Sequence, residues 1–115
     1  KPTHYTLPEL VDPQRAHYEE LSGEAETLPG LLLIPTPGHT AGPPSLVVRL
    51  ADGTVVVAGE THDNASDYGA DVLARQARRN GSAAALPVPP GWLDRLLELD
   101  PARIVFAHDN AVWEP

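Results

Sequence analysis

The apolar residues of this chain fall in short runs separated by Pro, Gly and Asp, and those runs predict its elements. Leu31-Leu32-Leu33-Ile34-Pro35-Thr36 is a continuous apolar run and reads as a strand with both faces covered. It ends at Pro37-Gly38, a tight turn that presents His39 at its tip. Ser45–Ala51 and Thr54–Ala58 are rich in β-formers and are separated by Asp52-Gly53, a pair that favours a two-residue hairpin. A polar loop follows from Gly59 to Asp67, carrying Glu60, His62 and Asp63. Tyr68–Asn80 reads as a helix, with Arg75, Arg78 and Arg79 near its C-terminal end, where cations suit the dipole, and Gly81 as its stop. Leu93, Leu96 and Leu97 keep helical spacing in a short helix that stops at Asp100-Pro101. Arg103–Ala107 is a last buried strand that delivers His108-Asp109.

The N-terminal part is less patterned. Residues 1–12 read as irregular, Asp12-Pro13 opens a short helix to about Glu20, and Leu21 to Gly30 is an acidic linker or an edge strand. The order strand, hairpin, helix, helix, strand predicts one α/β segment over residues 1–115, with a sheet of four or five strands. Helices cover one face of that sheet. The other face, to which Leu32, Val47 and Val55 are assigned, has no evident partner in the chain.

Composition narrows the function classes. At 115 residues the chain is one domain at most. A net charge of −8, from 16 acidic and 8 basic residues, argues against a nucleic-acid partner, which needs clustered Lys and Arg. No Cys is present, which excludes disulfides and thiolate metal sites. No apolar run approaches the roughly 20 residues that span a bilayer, and no secretory signal is seen, so a cytoplasmic setting without membrane contact is expected. The chain opens on Lys1 and has no Met, so the front is expected to have been removed or the chain to be a piece of something larger.

Three polar residues stand at the ends of predicted strands, where open α/β sheets carry their chemistry: His39, Glu60 and His108. Two imidazoles and a carboxylate form a set suited to zinc, iron or manganese. Such a metal lowers the pKa of bound water and supplies hydroxide for hydrolysis. Each residue taken singly has a plainer reading. A lone histidine after a Pro-Gly turn is more often a surface turn residue, and Glu60 also reads as a solvated loop carboxylate. His62 and Asp63 read as local hydrogen-bonding residues or auxiliary ligands, Asp109 as an orienter of an imidazole or an ordinary loop acid, and His4 and His17 as surface residues.

The stretch from Tyr18 to Leu21, then Leu31 through Thr36-Pro37-Gly38-His39-Thr40-Ala41-Gly42 and Ser45-Leu46-Val47-Val48, resembles the metallo-β-lactamase-fold hydrolases. Within them it is most similar to the N-acyl homoserine lactonase-like branch. Val55-Val56-Val57-Ala58-Gly59-Glu60 and Ile104-Val105-Phe106-Ala107-His108-Asp109 follow in the family's order, and the resemblance covers roughly residues 14–113. It implies a four-layer αββα sandwich and a metal-dependent hydrolase of a lactone or other ester-like acyl bond, with thioesters and β-lactams as alternative substrates. It further implies His39 as a ligand of a first metal, His108 as a ligand of a second, and Glu60 as the catalytic carboxylate in the metal-bridging position, with one or two zinc ions or else iron or manganese.

Three departures accompany the likeness. Glu60 replaces the family's usual Asp, and Asp63 stands where a Tyr is often found, Tyr68 being the nearest substitute. The family's H-x-H-x-D-H motif occurs nowhere in the sequence. The chain is therefore expected to be the C-terminal half of such an enzyme, requiring the missing N-terminal half or self-association. The alternative reading is a degenerate, non-catalytic half-fold that serves as an interaction module.

Overall fold

The computed structural model describes residues 22–37, 44–82 and 88–115. The irregular segment 1–12, the helix expected after Asp12-Pro13 and the turn carrying His39 lie outside the described residues. The elements are β1 (Ala25–Leu28), β2 (Leu31–Pro35), β3 (Pro44–Leu50), β4 (Gly53–Val57), α1 (Ala65–Arg79), α2 (Leu93–Glu98), β5 (Pro101–Val105) and β6 (Val112–Trp113). They build one six-stranded sheet in the order β1-β2-β3-β4-β5-β6. All neighbours are antiparallel except β4 and β5, whose parallel pairing is bridged by the two helices.

The acidic segment before Leu31 is thus an edge strand, and β6 adds a sixth that the sequence did not announce, because Val112-Trp113 is too short to show a period. The hairpin lies one residue earlier than its Asp52-Gly53 signal suggests, with Leu50 opposite Gly53. Gly53 has φ +135, and a Cβ there would come within 2.8 Å of the Ala102 Cβ, so glycine serves the close approach of β5 as well as the turn. Helix α1 begins three residues before the expected Tyr68. Asn64 is its N-cap, with Oδ1 accepting from the Asp67 N–H at 2.8 Å.

The register sorts the apolar residues between the two faces. Leu32, Val47, Val56, Ile104 and Trp113 are successive cross-strand partners. Val47, Val56 and Ile104 are fully buried in one cluster with Tyr68 of α1 and Leu93 and Leu96 of α2, against which Leu32 and Trp113 pack. Both helices therefore cover this face. Leu32 and Val47, expected on the open face, lie under the helices instead. A shift of one residue exchanges the faces of a strand, and runs of unbroken aliphatics carry no polar mark to fix it. Val55 does lie on the open face, together with the partner line Leu33, Leu46, Val57, Val105 and Val112. Val57 keeps 40% and Val112 44% of its surface exposed. Among the described residues no helix is long and apolar enough to cross a membrane.

Candidate metal centre

Strands β2, β4 and β5 run in the same direction, because β2 and β4 are each antiparallel to β3 and β5 is parallel to β4. Their C-terminal ends therefore share one edge of the sheet. The segments leading to His39, Glu60 and His108 all leave from that edge. His39 itself lies outside the described residues, two positions beyond Pro37. The stretch before it is well anchored. Thr36 and Ser45, both buried, share a hydroxyl hydrogen bond of 2.7 Å, and the Trp92 indole donates to the Pro37 carbonyl at 3.0 Å.

Glu60 and His108 do meet. The Ala58 N–H bonds to the Val105 carbonyl at 2.9 Å and the Ala107 N–H to the Gly59 carbonyl at 3.0 Å, so the β4 and β5 ladder continues past both strand ends. Gly59 at φ +55 then turns the chain in a conformation that side-chain-bearing residues rarely adopt. The outcome is His108 Nε2 donating to Glu60 Oε1 at 3.2 Å, with both side chains open to solvent. Two ligands of a tetrahedral or octahedral ion with bonds of about 2.1 Å lie roughly 3.0–3.4 Å apart. The pair thus fits adjacent positions on one ion as well as it fits a hydrogen bond. It is two donors of a shell that needs more: among the described residues no group of three or more His, Cys, Asp or Glu converges.

The neighbouring polar residues have structural partners. His62 is 9% exposed, and its Nε2 lies 2.6 Å from Asp71 Oδ2 while Nδ1 lies 3.2 Å from Thr61 Oγ1. With Asp71 ionised, Nε2 must carry the hydrogen, and a neutral ring then accepts from the Thr61 hydroxyl at Nδ1. Tyr68, Trp92 and Phe106 meet the His62 ring edge-on, with centroids at 5.3, 5.8 and 6.3 Å. His62 therefore faces the core, and Asp63 is exposed in the loop. Asp109 accepts from the Ala65 N–H at 2.8 Å and the Ala111 N–H at 2.9 Å, so it holds the first turn of α1 and not an imidazole. These backbone donors, Ala65 first, lower its carboxyl pKa below the usual range. Tyr68 is fully buried, among the described residues its hydroxyl has no partner, and burial raises its pKa well above the ordinary tyrosine value. No pattern of residues marks the His62–Asp71 pair, whose members meet only when α1 packs on the loop.

No family model matches the chain, and no curated protein matches it significantly. Solved structures do. An N-acyl homoserine lactone hydrolase with the product N-hexanoyl-L-homoserine at its catalytic metal centre is similar over 95% of this chain, at TM-score 0.58 and 22% identity. A point mutant of B. thuringiensis AiiA with N-decanoyl-L-homoserine at its active site is similar to the same extent, at TM-score 0.58 and 22% identity over 95% of the chain. The chain carries part of the metallo-β-lactamase fold. At this identity the likeness is one of fold, and the chain spans 42% of the length of either structure.

Proposed function

We propose that this chain supplies part of the metal centre of a hydrolase that cleaves a lactone or other ester-like acyl bond. The observation that carries the reading is the Glu60–His108 contact of 3.2 Å at the ends of adjacent parallel strands, within a fold shared with structures that hold acyl-homoserine products. Glu60 and His108 would hold the ion, preferably zinc, with His39 as a third donor from the loop on the same edge. A bound metal lowers the pKa of water and polarises the acyl carbonyl. Glu60 contributes negative charge beside His108 and orients its imidazole.

The remaining donors come from residues beyond these 115, in a segment carrying H-x-H-x-D-H. The open apolar face of the sheet fits the same view, since the four-layer sandwich covers that face with further strands. Zinc titration followed by native mass spectrometry tests the proposal. Wild-type chain should bind zinc weakly, and His39→Ala, Glu60→Ala and His108→Ala should each lose at least tenfold in affinity while circular dichroism stays unchanged. Equal zinc binding by all four would remove the site. Lactone hydrolysis by the chain alone at enzyme-like rates would contradict the need for a complementing segment.

A further inference from the structure

A second polar feature lies at the far end of α1. Arg75, Arg78 and Arg79 line a cleft of about 240 Å³, closed on its other side by Val88, Pro89 and Asp94. On a helix these three arginines fall at i, i+3 and i+4, so their stems share one stripe. Among the described residues the cleft lining holds three guanidinium groups and one carboxylate, in a chain whose net charge is −8. It is a local reversal of the molecule's field.

Arginines in a last helical turn often serve the carbonyls of that end. Here the Gln76, Ala77 and Arg78 carbonyls already accept from the N–H groups of Asn80, Ser82 and Gly81, at 3.1, 2.9 and 3.1 Å. Arg75 turns across the cleft to Asp94, and among the described residues Arg79 has no acidic partner. The opposite wall offers prolines, which lack an N–H, and Val88, which is 76% exposed. The ligand such a site suits has several acceptor oxygens for the guanidinium forks and tolerates an apolar rim.

We propose that this cleft binds a phosphate group, either as the free anion or as the head of a small phosphomonoester. The site is separate from Glu60 and His108, which lie beyond the other end of α1. The helix's 15 residues put about 20 Å between its two ends.

The test is an NMR titration of the 115-residue chain with inorganic phosphate and, separately, phenyl phosphate, against sodium chloride at equal ionic strength. Phosphate should shift the amides of Arg79 to Ser82 and Gly91 to Asp94 saturably, with a dissociation constant of about a millimolar, and chloride should not. Tighter binding of phenyl phosphate assigns the site to monoesters that use the Val88 rim, and equal binding assigns it to the free anion. Arg79→Gln should weaken the binding about tenfold, and the double variant with Arg78→Gln should abolish it. Zinc affinity should remain as in the wild type. The proposal is overturned by shifts that chloride reproduces, by no saturable shift, or by saturation unchanged in the double variant.

Discussion

His62 and His108 leave the ends of neighbouring parallel strands, yet their side chains meet opposite environments. The His62 side chain is 9% exposed, bonded at both ring nitrogens and ringed by three aromatics. The His108 side chain is 62% exposed and faces one carboxylate across 3.2 Å. A histidine whose nitrogens are both satisfied inside the fold contributes to stability and has no lone pair left for a ligand. A histidine held at a strand end by continued backbone pairing, with solvent on its open side, can give up its hydrogen bond to a metal. The loop after β4 thus has an inner side that holds the fold and an outer side available for chemistry.

The largest effect expected from testing that division is on the inner side. His62→Ala removes a buried ring together with its bond to Asp71, and should destabilise the chain by about 3 kcal/mol. Urea denaturation measures this, and a loss under 1 kcal/mol would put His62 outside the core. Next comes Tyr68→Phe. Among the described residues the buried hydroxyl has no partner, so deleting it should raise stability by about 1 kcal/mol, seen as a higher melting temperature. A lower melting temperature would reveal a partner for the hydroxyl.

Asp109 gives a pH-dependent case. Its folded pKa is depressed by the Ala65 and Ala111 N–H groups, so its contribution is present above the unfolded value and is lost as pH falls through the folded one. The stability gap between wild type and Asp109→Ala should therefore be largest near neutral pH and should close in acid, below about pH 4. A gap that stays constant from pH 7 to pH 3 would contradict the capping role. The smallest effect belongs to the outer pair. Glu60→Ala and His108→Ala should each change stability by less than about 0.5 kcal/mol, since exposed pairs contribute little. A large destabilisation there would move the pair from the chemical side of the loop to the structural one.

Much of this architecture was legible from residue pattern. The hairpin of β3 and β4, the helix ending at Arg79 and Asn80, the short helix before Asp100 and the strand delivering His108 each carry local signals: a turn pair, a stop glycine, helical leucine spacing and a β-branched run. The candidate site was legible as positions at strand ends. Its contacts were not. Glu60 and His108 are 48 residues apart, and only the parallel pairing of β4 with β5 brings them together. Asp109 offered two readings from sequence, and the structure chose helix capping because the first N–H of α1 lies within its reach.

The sequence by itself determined most of the elements and their order, because strand and helix periods, turn residues and caps act over a few neighbours. It also limited the chemistry, since a chain without cysteine offers a metal only nitrogen and oxygen donors. The tertiary structure decided which face of each apolar strand is buried, since Leu31-Leu32-Leu33 and Val55-Val56-Val57 have no alternation to set their register. It also decided which histidine is structural. From sequence His62 reads as a local hydrogen-bonding loop residue or auxiliary ligand and His108 as a strand-end ligand, but only the packing of α1 against the sheet puts one beside Asp71 under aromatic rings and leaves the other open beside Glu60.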